Sequence, residues 1–109
     1  MFLESMAEAA SSVVDYFHGN MVFINVLANM SVDCDCCSDA EDPCLADIGI
    51  MISRDPVAID KACVDIINNT TDPGRDHFME RVNSRHGIHT IEKAYELGVG
   101  NTDYELIEI

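Results

Sequence analysis

Apolar residues recur at spacings of three and four along the first part of the chain, and this pattern predicts an amphipathic helix over residues 2–17. The apolar stripe consists of Phe2, Leu3, Met6, Ala9, Ala10, Val13, Val14 and Phe17. Gly19 follows, and a glycine at this position is typical of a left-handed helix cap. The next apolar run, residues 21–27, is short and rich in β-branched residues. It predicts a strand buried on both faces.

A second short apolar run, residues 47–53, predicts another strand. Asp55-Pro56 then begins a helix, because Asp accepts hydrogen bonds from free backbone amides at a helix start and Pro at the first helical position loses none. The residues expected to face inward on this helix are Ile59, Ala62, Cys63, Ile66 and Ile67.

Weaker patterns complete the prediction. Residues 76–86 and 90–97 are typical of two short helices that end at Gly87 and Gly98. Residues 104–109 alternate between polar and apolar positions, which predicts a third strand at the edge of the sheet.

Strands interleaved with helices indicate the α/β class, with a small sheet of about three strands covered by three to four helices. We expect residues 1–109 to form a single domain. A first strand that is apolar on both faces is unusual in so small a sheet, and the chain begins directly in a helix. Both features favour a fragment of a larger α/β protein.

Charge narrows the possible partners. Six Lys+Arg against twenty Asp+Glu give a formal net charge of -14, which repels a phosphate backbone, so we expect no nucleic-acid partner. No apolar run approaches the roughly 18 residues that a membrane helix needs, so we expect no membrane partner. The first residues do not have the pattern of a secretion signal, which favours a cytoplasmic location.

Residues 31–46 show no periodicity and predict a loop. The loop contains four of the five cysteines, namely Cys34, Cys36, Cys37 and Cys44. Thiolates on one loop can bind zinc or iron, although this spacing matches no standard zinc finger. Reduced structural or redox-active thiols and a disulfide remain open alternatives. The loop's acidic residues lack the spacing of a calcium loop and favour a solvated surface.

Several motifs resemble one known family, and they are Asp33-Cys34-Asp35-Cys36-Cys37, Asp47-Ile48-Gly49-Ile50, Asp55-Pro56-Val57-Ala58-Ile59-Asp60 and Ala94-Tyr95-Glu96-Leu97-Gly98-Val99-Gly100. Through them, and over about residues 4 to 109, the chain resembles the C-terminal portion of the family called domain of unknown function 362. Within that family it is most similar to the branch of uncharacterised iron-sulfur-centre proteins. Among the loop cysteines, Cys34 and Cys36 match the family more closely than Cys37 and Cys44 do.

The resemblance implies an iron-sulfur protein whose upstream domains, with a ferredoxin-like segment, hold the cluster through a C-x2-C-x2-C-x3-C-P run. This chain contains no such run. The resemblance also implies two partners, namely the upstream domains of a longer chain and a redox partner protein. The resemblance also makes His89, before the last helix, the first choice for a histidine ligand at the cysteine loop, ahead of His86; His77 is a third histidine nearby.

Three functions follow from this reading. The first is a C-terminal domain of an iron-sulfur redox protein whose cysteine-rich loop binds zinc or iron. The second is part of an enzyme of unknown reaction, with an active site shared with an upstream domain and lined by Cys34, Cys36, Asp55 and Asp60. The third is a purely structural domain with inert cysteines.

Overall fold

The computed structural model of the chain describes residues 2–109. Its elements in chain order are α1 Phe2–Tyr16, β1 Phe23–Leu27, β2 Gly49–Ser53, α2 Pro56–Asn69, α3 Arg75–Ser84 and α4 Ile88–Glu96. The α/β class and the helices are therefore confirmed, with boundaries that differ from the predicted ones by at most two residues.

The sheet has two antiparallel strands, with Ile24 opposite Ile52 and Val26 opposite Ile50. The predicted third strand is wrong, because residues 104–109 do not form a strand. The alternation of apolar residues was the only signal in that segment. Residues 104–109 are instead attached to α2 by a side chain, since the Tyr104 hydroxyl donates to Asp65 Oδ2 at 2.7 Å.

The prediction that the first strand is buried on both faces is also wrong. One face of the sheet packs on α2, while the other face carries four β-branched side chains that are between 61% and 68% exposed. These are Ile24, Val26, Ile50 and Ile52. Because the helices cover a single face of the sheet, only alternate residues of each strand can be buried.

The core lies between the sheet, α2 and α3. Its buried centre is formed by Leu27, Leu45, Ile67 and Met79. Cys63, Phe78 and Val82 pack against this centre, and Ile59 and Ala62 are also buried on α2. The inward positions predicted for α2 are thus largely confirmed. Burying a side chain of this size contributes about 1.5–3 kcal/mol to the stability of the fold. Leu45 brings the end of the loop at residues 31–46 into this core.

The first helix is less buried than its apolar stripe predicts. It packs against α4, and Ala7 is its one buried residue in the described part of the chain. Met6, Val13 and Phe17 remain between 45% and 49% exposed. No helix within residues 2–109 is long and apolar enough to cross a membrane.

The predicted helix start at Asp55 is confirmed. Its Oδ1 accepts hydrogen bonds from the amides of Val57 and Ala58 at 2.9 and 3.0 Å, which satisfies the free donors of the first turn of α2. Its Oδ2 accepts from the amide of Asn101 at 2.8 Å. Asp55 therefore joins the start of α2 to the segment after α4.

Candidate thiol site on the cysteine-rich loop

Residues 31–46, the cysteine-rich loop, leave the core and return to it at nearly the same place. At the base, the Cys44 amide donates to the Met30 carbonyl at 2.9 Å, and Leu45 is buried. The Ala46 amide donates to Asp72 Oδ2 at 2.9 Å. A compact surface loop whose ends meet in this way resembles an Ω-loop, a type that often carries functional residues.

Helix α3 holds one arm of this loop through Arg81. The Arg81 guanidinium donates from Nη1 to Asp33 Oδ1 at 2.7 Å and to the Val32 carbonyl at 2.9 Å. Asp33 Oδ2 also accepts from the Glu41 amide at 3.0 Å. The Glu41 amide first, and Arg81 second, hold the pKa of Asp33 below its usual value.

The other arm of the loop meets α3 through His77, whose Nε2 lies 2.6 Å from Glu41 Oε2. The return to the core is fixed by Asp72, which accepts from the amides of Ala46 and Gly74. These two hydrogen bonds, in that order, lower the pKa of Asp72. A Cβ atom at Gly74 would lie only 1.7 Å from the Cys44 carbonyl oxygen, so the backbone of the loop is in close contact with the turn before α3.

The exposed end of the loop contains a tight turn that brings two thiols together. The Cys37 amide donates to the Cys34 carbonyl at 2.9 Å, which closes the turn over Asp35 and Cys36. The Cys36 thiol then donates to Cys34 Sγ at 3.2 Å. Cys34, Cys36 and Cys37 are all exposed. The turn therefore presents a pair of free thiols in contact with each other.

The two thiols of this pair have unequal acidity. Hydrogen bonds from the Cys36 backbone amide first, and from the Cys36 thiol second, lower the pKa of Cys34. The pKa of Cys36 is raised, because its thiol donates to Cys34 and a charge on Cys34 opposes a second one. The arrangement favours one negative charge on the pair, located on Cys34.

The remaining predicted ligands lie apart from this contact. Cys44 is half-buried against the core at the base of the loop. His89 lies between α1 and α4, with Nε2 3.1 Å from Glu4 Oε1 and Nδ1 3.7 Å from Glu92 Oε2. The histidine whose ring reaches the cysteine-rich loop is His77.

The thiol pair supplies fewer donors than a complete metal site needs. Structural zinc sites use four ligands in a tetrahedron, and the cysteine pair supplies two. Within the described residues, no group of three or more His, Cys, Asp or Glu side chains is arranged to hold a metal ion. The pair is therefore half of a ligand set and does not form a complete zinc, iron or cluster site in this arrangement.

Asp55 and Asp60, the other residues of the shared-active-site hypothesis, make structural contacts. Asp55 caps α2, as described above, and Asp60 Oδ1 accepts from Asn25 Nδ2 at 2.8 Å, which links α2 to β1. The same amide nitrogen lies 3.4 Å from Cys63 Sγ. Burial raises the pKa of the Cys63 thiol, so Cys63 packs as a small neutral side chain, as its position on α2 predicted.

Sequence reasoning missed the residues that hold the loop, which are Arg81, His77, Asp72 and Gly74. Their contacts join positions 26 to 49 residues apart along the chain, so no local pattern indicates them. The sequence held one weak signal of these contacts. Basic residues are few in a chain of net charge -14, so each of them has an acidic partner available. That signal does not identify which partner.

Fold and site together define a small α/β domain that presents an exposed dithiol on a loop held by α3. The family model described as Domain of unknown function (DUF362) matches residues 1–65, which is more than half of the chain, and the chain belongs to this family. The match includes α1, both strands, the whole cysteine-rich loop and much of α2. No curated protein and no solved structure matches the chain.

Proposed function

We propose that Cys34 and Cys36 are two ligands of a site for a thiophilic metal ion, zinc or iron, in a redox protein of this family. The observation that carries the proposal is the contact of two exposed thiols, with 3.2 Å between their Sγ atoms, on a loop whose base and arms are fixed. Thiolates are the preferred protein ligands of zinc and of iron-sulfur clusters.

The remaining ligands must come from outside the pair. Cys37 is the nearest candidate along the chain, because it belongs to the same turn, and Cys44 lies at the base of the same loop. His89 would have to leave Glu4 to join the site. His77 already contacts the loop through Glu41, so it has the stronger geometric support among the histidines. Ligands from another domain would complete the site equally well.

The redox part of the proposal rests on the family resemblance. In this proposal, upstream domains of a longer cytoplasmic chain hold an iron-sulfur cluster, and a redox partner protein exchanges electrons with that cluster. The exposed apolar face formed by Ile24, Val26, Ile50 and Ile52 supports a contact with such a domain, since contiguous apolar surface on a soluble protein is commonly an interface.

Two other functions have less support. An active site shared with an upstream domain would use Asp55 and Asp60, but both carboxylates are engaged in structural hydrogen bonds. A structural role for the loop cysteines is disfavoured by their exposure, because cysteines that serve packing are usually buried, as Cys63 partly is.

Elemental analysis of zinc and iron tests the proposal. The wild-type protein, purified under reducing conditions without a chelator or histidine tag, is compared with Cys34→Ser/Cys36→Ser and with Cys63→Ala as the matched thiol control. We expect bound metal in the wild type and in the control and its loss in the double variant. Wild-type protein with fully reduced thiols that stays metal-free after addition of zinc and dialysis would contradict the proposal.

A further inference from the structure

The geometry of the thiol pair suits a reaction that requires no metal. A disulfide needs about 2.05 Å between its sulfur atoms, and Cys34 Sγ and Cys36 Sγ are already 3.2 Å apart. Both side chains are exposed and lie on one turn, whereas Cys44 at the base of the loop is half-buried. Rotation of the side chains can therefore close the remaining distance without disturbing the core.

The hydrogen bond between the thiols also gives them different roles. The Cys36 thiol donates to Cys34 Sγ at 3.2 Å, so it already touches the sulfur that a resolving thiol must attack. A thiolate is the attacking species in thiol–disulfide exchange, and a neighbouring thiol can resolve the mixed disulfide that results. Cys34 is thus suited to attack and Cys36 to resolve.

The surroundings of the pair are negatively charged. Asp35 lies between the two cysteines, and Asp39 and Asp42 are exposed on the same loop. Asp33 and Glu41 are already paired with Arg81 and His77. The loop therefore carries exposed negative charge, with Asp35 directly between the two cysteines, and such charge attracts a cation and repels an anion over about 10 Å at 0.1 M salt.

We infer that Cys34 and Cys36 form a dithiol that reduces small cationic disulfides by thiol–disulfide exchange. The Cys34 thiolate attacks one sulfur of the disulfide, whose S–S bond breaks and releases the first thiolate, which takes up a proton. Cys36 then loses its proton and attacks Cys34 Sγ, which breaks the mixed disulfide and releases the second thiolate. The pair gives up two electrons and two protons, and the small disulfide becomes two thiols. The reaction goes beyond metal binding and does not depend on it.

The test uses the reduced, metal-free protein in the presence of a chelator, with cystamine as the cationic disulfide. We expect the intact mass to fall by two hydrogens and peptide mapping to find a Cys34–Cys36 bond within one chain. The variant Cys63→Ala, which removes a thiol outside the loop, is expected to react at the wild-type rate. Cys34→Ser is expected to react about tenfold more slowly, because the assigned attacking sulfur is lost.

A trapping variant tests the assigned order of the two cysteines. In Cys36→Ser/Cys37→Ser neither adjacent thiol can resolve the intermediate, so a mixed disulfide with half a cystamine molecule should persist on Cys34. Stable modification of wild-type protein, a bond to Cys44 or to a second chain, or equal rates for Cys34→Ser and wild type would overturn the inference. Circular dichroism spectra of the variants establish that each is folded.

The charge selection is tested with oxidised glutathione, whose carboxylates make it anionic. We expect cystamine to react about tenfold faster at low salt and the difference to shrink at about 1 M salt, where the screening length falls to about 3 Å. Equal rates at low salt would remove the cationic preference. Because the chelator is present throughout, failure of this reaction leaves the metal analysis unaffected, and a protein without bound metal can still show the exchange.

Discussion

Arg81 on α3 donates to the Asp33 carboxylate at 2.7 Å, across a separation of 48 residues along the chain. The same Nη1 atom donates to the Val32 carbonyl, so one guanidinium group holds both the backbone and the side chain just before Cys34. Asp33 passes this restraint to the other arm of the loop through the Glu41 amide. The position of the thiol turn therefore depends on a side chain of a distant helix.

Replacing Arg81 with Gln is expected to loosen the loop. The Glu41 amide should exchange with solvent about fivefold faster, as expected for loss of a partly exposed ion pair. Hydrogen exchange measured by NMR reports this directly. Arg85→Gln is the matched control, because Arg85 acts on Asp33 only through its charge at longer range. Unchanged exchange at Glu41 in Arg81→Gln would show that the contact does not restrain the loop.

Acid is expected to weaken the same restraints. Hydrogen bonds to the ionised forms lower the pKa values of Asp33 and Asp72 below 3.8, the ordinary value for the side chain. Their contribution to stability is therefore complete above about pH 5 and is lost as the pH falls through the lowered pKa values. A 13C NMR titration of the carboxyl carbons should give midpoints below the ordinary value for both residues. Midpoints at or above it would contradict the hydrogen-bonding scheme.

Gly74→Ala is expected to destabilise the protein because of the Cys44 carbonyl. The added Cβ would lie 1.7 Å from that oxygen, so the backbone must shift, at a cost of about 1–3 kcal/mol in the free energy of unfolding. Gly87→Ala is the matched control, since a Cβ there meets Val82 atoms at an ordinary 3.4 Å and φ is -58°. Urea denaturation compares the two variants. Equal stability of both would show that the loop does not pack closely against this turn.

The two faces of β1 are expected to respond differently to truncation. Leu27→Ala removes a side chain that is 4% exposed and should cost about 2–5 kcal/mol. Ile24→Ala removes one that is 61% exposed and should cost less than about 1 kcal/mol. Thermal unfolding of both variants at several protein concentrations measures the difference. A large cost for Ile24→Ala in the isolated chain would mean that the exposed sheet face is covered in solution.

Local signals predicted the helices of this fold well. Asp55-Pro56 identified the start of α2 because both residues act within one helical turn, and Gly98, with a φ of +76°, follows α4 as predicted. The errors concern tertiary surroundings. An apolar run cannot show whether one or both faces of β1 are covered, and the alternation in residues 104–109 cannot show that Tyr104 is held by Asp65 on α2.

The candidate site was predicted in part, for a similar reason. The spacing of Cys34 and Cys36 indicated that two thiols lie on one loop, and the structure brings these two into contact. The distances to Cys44 and to any histidine depend on how the loop packs on α3. His77 meets the loop because α3 lies beside it, whereas α4 carries His89 towards α1. Neither arrangement is encoded in the spacing along the chain.

Cobalt(II) titration of the reduced protein tests the central claim most directly, because thiolate-to-cobalt charge-transfer absorption appears only when cysteine thiolates bind the ion. We predict this absorption in the wild type and in Cys63→Ala, and its loss in Cys34→Ser/Cys36→Ser, with zinc displacing cobalt in the first two proteins. A wild-type protein without this absorption, or a double variant that retains it in full, would contradict the assignment of the Cys34–Cys36 pair as metal ligands.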